Sequence, residues 1–328
     1  MPRKVEISHR TIIFTVFFLI GLWLLFEIRQ IIVALFVSLI FMSALNPAVD
    51  KIEKWHLPRW LAILLIYLIF FGSVGTLLTV IITPLVNQTA EFISKTAVFL
   101  KQLGSFGIDP NIVATQFTNL SALPANILKL TISFFSNLIA LLALMVITFY
   151  LLLERKNLDR YLLILFGEGK EKEAEQFVNK IEKRLGGWVR GELSLMTIVG
   201  VLSFVGLRLL GIEFALPLAI LAGLLEIIPN IGPIVSAIPA VLSGLTVSPL
   251  MGLAVAALYF LIQQIENSII VPRVMQKVVG VNPLVTILSL AIGFKLAGVA
   301  GAILAIPVVL VIQVATSEIF TSKRLQNL

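Results

Sequence analysis

The sequence contains no cysteine, only two histidines and few charged residues for its length. Of its 328 residues, 59% are hydrophobic and 13% are charged, whereas soluble domains carry about 25% charged residues. The lack of cysteine excludes disulfides, thiolate metal sites and cysteine nucleophiles. The lack of charge, together with a mean hydropathy of +1.03, excludes an ordinary soluble domain. These absences predict an all-α polytopic membrane protein.

Several enzyme motifs are also absent. The sequence has no HExxH, no GxSxG, no P-loop and no pair of aspartates on facing helices. Zinc proteases, serine hydrolases and nucleotide-driven pumps depend on such patterns. His56 has no second ligand nearby, so it does not indicate a metal site. We therefore expect no enzymatic activity and no cofactor, and any transport should be passive or ion-coupled.

The formal net charge is +7. In a membrane protein, such an excess is typical of basic cytoplasmic loops and does not indicate nucleic-acid binding. The N-terminal sequence MPRKVEISHR resembles the basic region of a signal peptide, but no small-residue cleavage site follows the apolar run. We predict a multi-pass protein of the cell (inner) membrane, in contact with the lipid bilayer and with both termini in the cytoplasm.

Apolar runs and charged intervals divide the chain. Pro47 is expected to end the second apolar run, and Gly186-Gly187 is expected to end a charged amphipathic helix. The predicted parts are N-terminal membrane segments (1–86), an extracytoplasmic amphipathic helical segment (87–129), a membrane span (130–153), a cytoplasmic amphipathic helix (154–191) and a C-terminal transport core (192–320).

Two apolar stretches, residues 213–247 and 282–316, are too long for one crossing and too short for two. A straight helix of about 34 residues is about 50 Å long, whereas the hydrocarbon core is about 30 Å thick. Basic residues predict that residues 154–191 and the interval containing Arg273 and Lys277 are cytoplasmic. The first stretch then begins and ends outside, and the second begins and ends inside. We expect about eight membrane segments, including two opposed re-entrant helical hairpins.

The two stretches resemble each other and form a candidate inverted repeat. Their matching motifs are LPL (216–218) and IPAVL (238–242) in the first stretch, and NPL (282–284) and IPVVL (306–310) in the second. Inverted repeats of broken helices recur in secondary transporters, which bind their solutes near the midplane. Hinge or structural roles are predicted for Pro239, Pro272, Pro283, Gly298, Gly301 and Pro307.

One acid, Glu226, lies just before the break in the first stretch, and one base, Lys295, lies within the second. By helical rise, the two are about 14 and 18 Å from their own ends, near the centre of a core of about 30 Å. Glu226 has three alternatives: to pair with Lys295, to take up a proton, or to coordinate a cation such as Na⁺ with freed carbonyls. The predicted substrate- or ion-binding residues are Glu226, Pro229, Asn230, Gly232, Pro233, Gln264, Glu266, Asn267 and Lys295.

The motif EIIPNIGP at 226–233, followed by IPAVL at 238–242, resembles the signature of AI-2E family transporters. The resemblance extends over nearly the whole chain. It continues in QIEN (264–267), PRVM (272–275), VGVNPL (279–284) and GVAG (298–301). The resemblance implies an inner-membrane permease that forms a homo-oligomer. Members of the family are assigned to export of autoinducer-2 or to sodium (or lithium)/proton antiport, so the resemblance does not specify the solute.

Our leading hypothesis is an ion-coupled secondary transporter that exports a small polar solute such as autoinducer-2. The first alternative is a sodium (lithium)/proton antiporter, in which Glu226 binds the cation. The second alternative is a non-transporting membrane scaffold that uses residues 154–191 to bind partners. A scaffold has no need for a carboxylate within the hydrocarbon core, so the environment of Glu226 discriminates between a transporter and a scaffold.

Overall fold

The computed structural model describes residues 9–76, 138–167, 171–229, 231–275 and 282–326, together with Asn87, Glu91 and Ser94. All regular structure within these residues is helical. The helices are α1 (His9–Glu27), α2 (Arg29–Glu53), α3 (Arg59–Thr76), α4 (Leu138–Glu154), α5 (Leu158–Phe166), α6 (Glu171–Leu209), α7 (Ala215–Leu225), α8 (Ile231–Val247), α9 (Pro249–Ile265), α10 (Val271–Met275) and α11 (Pro283–Gln326), with a 3₁₀ turn at Arg155–Asn157 and a π turn at Glu266–Ile270.

Six of these described helices are long and apolar enough to cross a membrane. This finding confirms the prediction of an all-helical protein with several membrane-spanning segments. The count of about eight segments and the re-entrant character of the hairpins stay predictions. Apart from the three isolated residues named above, the predicted extracytoplasmic segment at 87–129 lies outside the described residues.

An N-terminal bundle is formed by α2, α3 and α4. Its core contains the fully buried side chains of Val49, Ala62, Ile63 and Leu152. By contrast, α1 has no buried residue and exposes apolar side chains all around. A helix that is apolar on every side requires an apolar environment, and a bilayer provides one.

We expected Pro47 to end the second apolar run, but the helix does not end there, because α2 continues through Pro47 to Glu53. Proline lacks an N–H group, so the carbonyl of Ser43, four residues earlier, loses its intrahelical donor. Arg190 of α6 replaces that donor, since its Nη1 lies 3.4 Å from the Ser43 oxygen and 3.2 Å from the Ala44 oxygen. The side chain of a distant helix therefore supplies the bond that the proline removed.

The prediction that Gly186-Gly187 ends a helix is also wrong, because α6 runs unbroken from Glu171 to Leu209. A Cβ atom built on Gly186 would overlap the carbonyl oxygen of Ser43. The glycine therefore lets α6 approach the backbone of α2. This close contact keeps Arg190 one turn from Gly186 and within reach of the freed carbonyl.

A helical hairpin is formed by α7 and α8, which are joined by the short turn that contains the predicted break. The N–H of Gly232 donates to the Ile228 carbonyl at 2.9 Å. A Cβ atom on Gly232 would overlap the Leu225 carbonyl oxygen, so only glycine fits where α8 begins against the end of α7. The predicted break at Pro229–Pro233 thus overlaps the start of α8, which begins at Ile231.

A second hairpin lies within α11. Ala297 (φ −143°) and Gly298 (φ 60°) leave the helical conformation, and the positive φ favours glycine. A Cβ on Gly293 would overlap the Gly301 carbonyl oxygen, and a Cβ on Gly301 would overlap that of Gly293. Residues eight apart in a straight helix are about 12 Å apart. The chain therefore folds back at Gly298 into a first arm (283–296) and a second arm (299–326).

The predicted hinge prolines occupy distinct places in these helices. Pro239 lies inside α8, and Pro307 lies inside the second arm of α11. Pro283 begins α11, whereas Pro272 is the second residue of α10, two positions after the end of the π turn. Their roles as hinges stay predictions.

Candidate functional site

The register between α6 and α7 positions the site. A Cβ atom on Gly223 would lie 2.7 Å from the Met196 carbonyl oxygen, and one on Gly200 would lie 3.5 Å from that of Ala219. The two helices are therefore antiparallel and in backbone contact, with residue 200 opposite 219 and residue 196 opposite 223. One further turn along each helix brings Glu192 level with Glu226.

Glu226 follows the last residue of α7, where the chain turns towards α8. Its N–H donates to the Ala222 carbonyl at 3.2 Å, which completes the last turn of the helix. The side chain is only 2% exposed. The sequence therefore identified a buried acid at the bend of the first hairpin.

Glu266 is placed by the π turn between α9 and α10, and it is 4% exposed. The ring of a proline clashes with the carbonyl four residues earlier, which for Pro272 is that of Ser268 inside this turn. A π turn widens the helix at such a point, and these turns are frequent at functional sites. Gln263 Nε2 donates to Glu266 Oε2 at 3.3 Å.

Glu192 is the third member of the cluster and is also 4% exposed. Glu192, Glu226 and Glu266 interact electrostatically in all three pairs. The side chains of Glu226 and Glu266 are within hydrogen-bonding reach of each other. Two carboxyl groups form a hydrogen bond only when one of them carries a proton, because a carboxylate has no donor.

The cluster has no cationic partner among the described residues. None of the ion pairs found there includes any of the three acids. One oxygen of Glu192 and one of Glu226 have no hydrogen-bond partner. Within the same residues, no three acidic or histidine side chains are grouped to hold a metal ion. The arrangement can accept protons or a weakly held monovalent cation, with backbone carbonyls as further ligands.

The structure does not bring Glu226 and Lys295 together. Lys295 is exposed on the first arm of α11, three residues before the bend, and forms no ion pair with Glu226. The reason is that α7 packs against α6 and α8, so the nearest ionisable groups to Glu226 are the other two acids. Of the three alternatives for Glu226, pairing with this base is not realised.

The hairpins nevertheless meet. Ile228 at the bend of the first hairpin packs against Leu290, Ala302 and Ala305 of the second. Beside this contact is a cavity of about 350 Å³. Its lining is apolar and consists of Ile228, Pro229, Ile231, Ile287, Leu290, Ala291, Phe294 and Ala302.

The remaining predicted residues have different positions. Gly232 is buried at the start of α8, and Pro233 is half-buried one residue later. Gln264 and Asn267 are exposed, so they do not face the buried carboxyl groups. Asn230 lies outside the described residues.

Two residues of the site were missed by sequence reasoning, Glu192 and Gln263. Glu192 begins the apolar part of α6, and we interpreted it only as the boundary of a span. A signal was present, because Glu192, Leu195, Val199 and Ser203 recur at helical spacing and are all buried. An acid on the same face as such a stripe points inward.

Apolar helices with buried acids beside a break in the helix are the features of a membrane permease. The sequence matches the AI-2E family transporter family over residues 12–321, so the chain belongs to that family. This match confirms the resemblance found in the motifs.

Individual relatives align over most of their length. The chain is 27% identical to YrrI of Bacillus subtilis (strain 168) over 313 residues, which cover 89% of this chain and 87% of the relative. It is 28% identical to YueF of the same organism over 291 residues, which cover 82% and 78%. Both are named as transport proteins. The chain is also 28% identical to the AI-2 transport protein TqsA of Escherichia coli (strain K12) over 311 residues, which cover 88% and 86%.

Proposed function

We propose that this protein is an ion-coupled secondary transporter in which Glu226, with Glu192 and Glu266, binds the coupling cation. The observation that carries the proposal is the burial of these three acids without a cationic partner among the described residues. The coupling cation is a proton or Na⁺, and the family of the chain supports the transport role.

The physical reason lies in the cost of buried charge. A carboxylate in a medium of low dielectric constant is strongly unfavourable unless a proton or a cation neutralises it. Three such groups in contact increase this cost, because they also repel one another. A bound cation therefore changes the relative stability of the two conformations in which the cluster is open to one or the other side of the membrane. This dependence couples ion movement to solute movement.

The two hairpins provide the moving parts in this proposal. We infer that each is re-entrant and that they enter from opposite leaflets, as the flanking basic residues predict. The reversal at Gly298 and the bend before Gly232 support this topology. The contact of Ile228 with the second hairpin supports a gate at the meeting point of the two bends.

The proposed solute is a small polar molecule such as autoinducer-2, exported across the inner membrane. The name of TqsA supports this assignment, because it describes an AI-2 transport protein. The second candidate is sodium (lithium)/proton antiport, which the acid cluster favours because antiport needs only a cation site. A non-transporting scaffold is disfavoured, since it has no use for three unneutralised acids. We also propose a homo-oligomer, in which a neighbouring protomer or lipid covers the exposed α1.

The test is flux in proteoliposomes with outward or inward gradients of protons, Na⁺, Li⁺ and labelled autoinducer-2. Glu226→Gln should abolish coupled flux, because the amide cannot bind a proton or neutralise a cation. Glu318→Gln is the matched control. Glu318 is a partly exposed acid near the end of α11, and it pairs with Lys180 of α6. Normal coupled flux in Glu226→Gln would refute the role of the cluster. Cation exchange without any autoinducer-2 movement would select the antiporter.

A further inference from the structure

The cavity between the two hairpin bends is apolar throughout. It has a volume of about 350 Å³, and none of its lining side chains carries a polar atom. Its inner wall is formed by Leu290 on the first arm of α11 and Ala302 on the second arm, each 3% exposed. Ile228 of the first hairpin packs against both of them. The cavity therefore reaches into the contact between the two hairpins.

The chemistry of this lining selects an apolar occupant. A buried water needs two to four polar partners, and the lining side chains offer none. An empty cavity is also unfavourable, because the atoms around it lose dispersion contacts. An engineered cavity of about 150 Å³ with a similar lining stays dry and binds benzene. A cavity of more than twice that volume can hold a longer hydrocarbon group.

The outer rim of the cavity indicates where such a group comes from. Ile231, Ile287 and Phe294 line the cavity, and their side chains are 53%, 57% and 59% exposed. Ile287 and Phe294 belong to a helix that is long and apolar enough to cross a membrane. Apolar side chains exposed on such a helix face the hydrocarbon of the bilayer. The rim is therefore continuous with a surface that contacts lipid.

The depth of the cavity indicates which part of a lipid is within reach. Glu226 and Lys295 are about 14 and 18 Å from the ends of their hairpins by helical rise, near the centre of a core of about 30 Å. Ile228 and Phe294 lie within two residues of these positions. The ends of acyl chains from both leaflets meet at the same depth. This step rests on the re-entrant topology that we proposed above.

We propose that this cavity binds the terminal segment of a phospholipid acyl chain. Lipid tails are as apolar as leucine side chains, so moving from bilayer hydrocarbon into the cavity costs the chain no desolvation. The chain loses some conformational freedom, and it gains the dispersion contacts that the lining otherwise lacks. The site is separate from the acid cluster, since its nearest residue to Glu226 along the chain is Ile228.

The site can be tested by photolabelling of the unaltered protein in vesicles. The phospholipid carries a diazirine at the end of one acyl chain, and mass spectrometry locates the adducts after illumination. Leu290 and Ala302 should be labelled despite their burial. The references are Leu207 and Val255, which are 0% exposed in the core between α6 and α9. The positive control is α1, which has no buried residue.

One result of this experiment would overturn the site. If α1 is labelled but Leu290 and Ala302 carry no more adducts than Leu207 and Val255, no acyl chain enters the cavity. That result would assign the space to water, to a neighbouring protomer or to no ligand at all.

A substitution that fills the cavity tests the same assignment. Ala291→Phe adds a ring to the lining and should lower the labelling of Leu290 and Ala302 to that of the references, with no change at α1. The matched control is Ala257→Phe, because Ala257 is exposed on α9 and does not line the cavity. Labelling that persists in Ala291→Phe, or that falls equally in Ala257→Phe, would contradict the site. Thermal unfolding checks that both variants are folded.

A second lipid separates the site from the proposed topology. Its diazirine lies beside the carbonyl group of the acyl chain, near the membrane surface. Stronger labelling of Leu290 and Ala302 by this lipid than by the first would overturn both the chain-end assignment and the re-entrant topology. Absence of labelling by either lipid would overturn the acyl-chain site alone. Neither readout depends on ion flux, so the role of the acid cluster is tested independently.

Discussion

Two of the places where the described residues bury charge are built in opposite ways. In the N-terminal bundle, Arg59 is 8% exposed, and its guanidinium group donates hydrogen bonds to four acceptors. Its acceptors are the Leu152 carbonyl oxygen at 2.7 Å, Asp50 Oδ1 at 2.8 Å, Glu53 Oε2 at 3.0 Å and Asn46 Oδ1 at 2.6 Å. In the C-terminal part, three acids are buried together, and Gln263 donates a hydrogen bond to one of them, Glu266.

Under the proposed function, this difference separates an architectural buried charge from a functional one. Arg59 joins α2, α3 and α4, and its charge is compensated within the protein, so nothing from outside is needed. In the proposed function, the acid cluster is completed by a bound proton or cation. Buried polar groups are normally satisfied, so an unsatisfied buried acid is a candidate place for ligand exchange.

The largest expected effect is at the acid cluster. Glu192→Gln should reduce coupled flux by about 100-fold or more, within the range for loss of a group that transfers protons. Thermal stability should not fall, because the substitution replaces an uncompensated buried acid with a neutral group of similar shape. Proteoliposome flux and thermal unfolding of the same preparation measure the two quantities.

A matched substitution on the same helix sharpens this result. Glu182 is a buried acid of α6 whose Oε2 accepts from Arg155 Nε at 2.8 Å. Glu182→Gln should show the reverse pattern, with lower stability and normal flux per folded molecule, because it removes a compensated charge. Loss of stability in Glu192→Gln, or loss of flux in Glu182→Gln, would contradict the distinction between uncompensated and compensated buried acids.

The next effect is the unfolding of the N-terminal bundle. Arg59→Gln should lower the free energy of unfolding by about 3 kcal/mol, the scale for removing one partner of a buried ion pair. Asp50 and Glu53 would be left without their shared cation. Lys51→Gln is the control, since Lys51 is exposed nearby on α2, and it should change little. If Arg59→Gln proved as stable as the control, the bundle would not depend on this network.

A smaller effect is expected where α6 meets α7. Gly223→Ala introduces a Cβ 2.7 Å from the Met196 carbonyl oxygen, and such overpacking costs about 1–3 kcal/mol. It should also lower flux, because the separated helices no longer hold Glu192 level with Glu226. In Gly72→Ala the new Cβ meets nothing within 4 Å, so stability should be unchanged or slightly higher. Normal flux in a stable Gly223→Ala protein would show that this register is not needed.

Features that depend on nearby residues were predictable from the sequence. The bend before Gly232 and the reversal at Gly298 follow from proline and glycine within a few positions. The burial of Glu226 follows from the apolar runs on both sides of it. The motifs at 226–233 and 238–242 were sufficient to identify the family, which the match over residues 12–321 confirms.

Features that depend on distant partners were not predictable. Gly186 was interpreted as the end of a helix and Pro47 as the end of an apolar run, but both are inside helices. Gly186 lets α6 approach the Ser43 carbonyl of α2, and Arg190 of α6 bonds that carbonyl, which Pro47 leaves without its intrahelical donor. Glu192 was missed for a related reason. Its role depends on the register between α6 and α7, which two glycines establish through contacts that a single segment does not reveal.

The smallest effect should come from a charge pair that is neither buried nor functional. Lys180 Nζ lies 2.6 Å from Glu318 Oε2, and both side chains are substantially exposed. Exposed pairs contribute about 0–1 kcal/mol and are screened by salt. Lys180→Ala should therefore lower the free energy of unfolding by less than about 1 kcal/mol, and the difference should vanish at high ionic strength. Thermal unfolding at low and high salt measures this. A loss of stability that persisted at high salt would mean that the Lys180–Glu318 pair contributes like the buried Arg59 network and not like an ordinary surface pair.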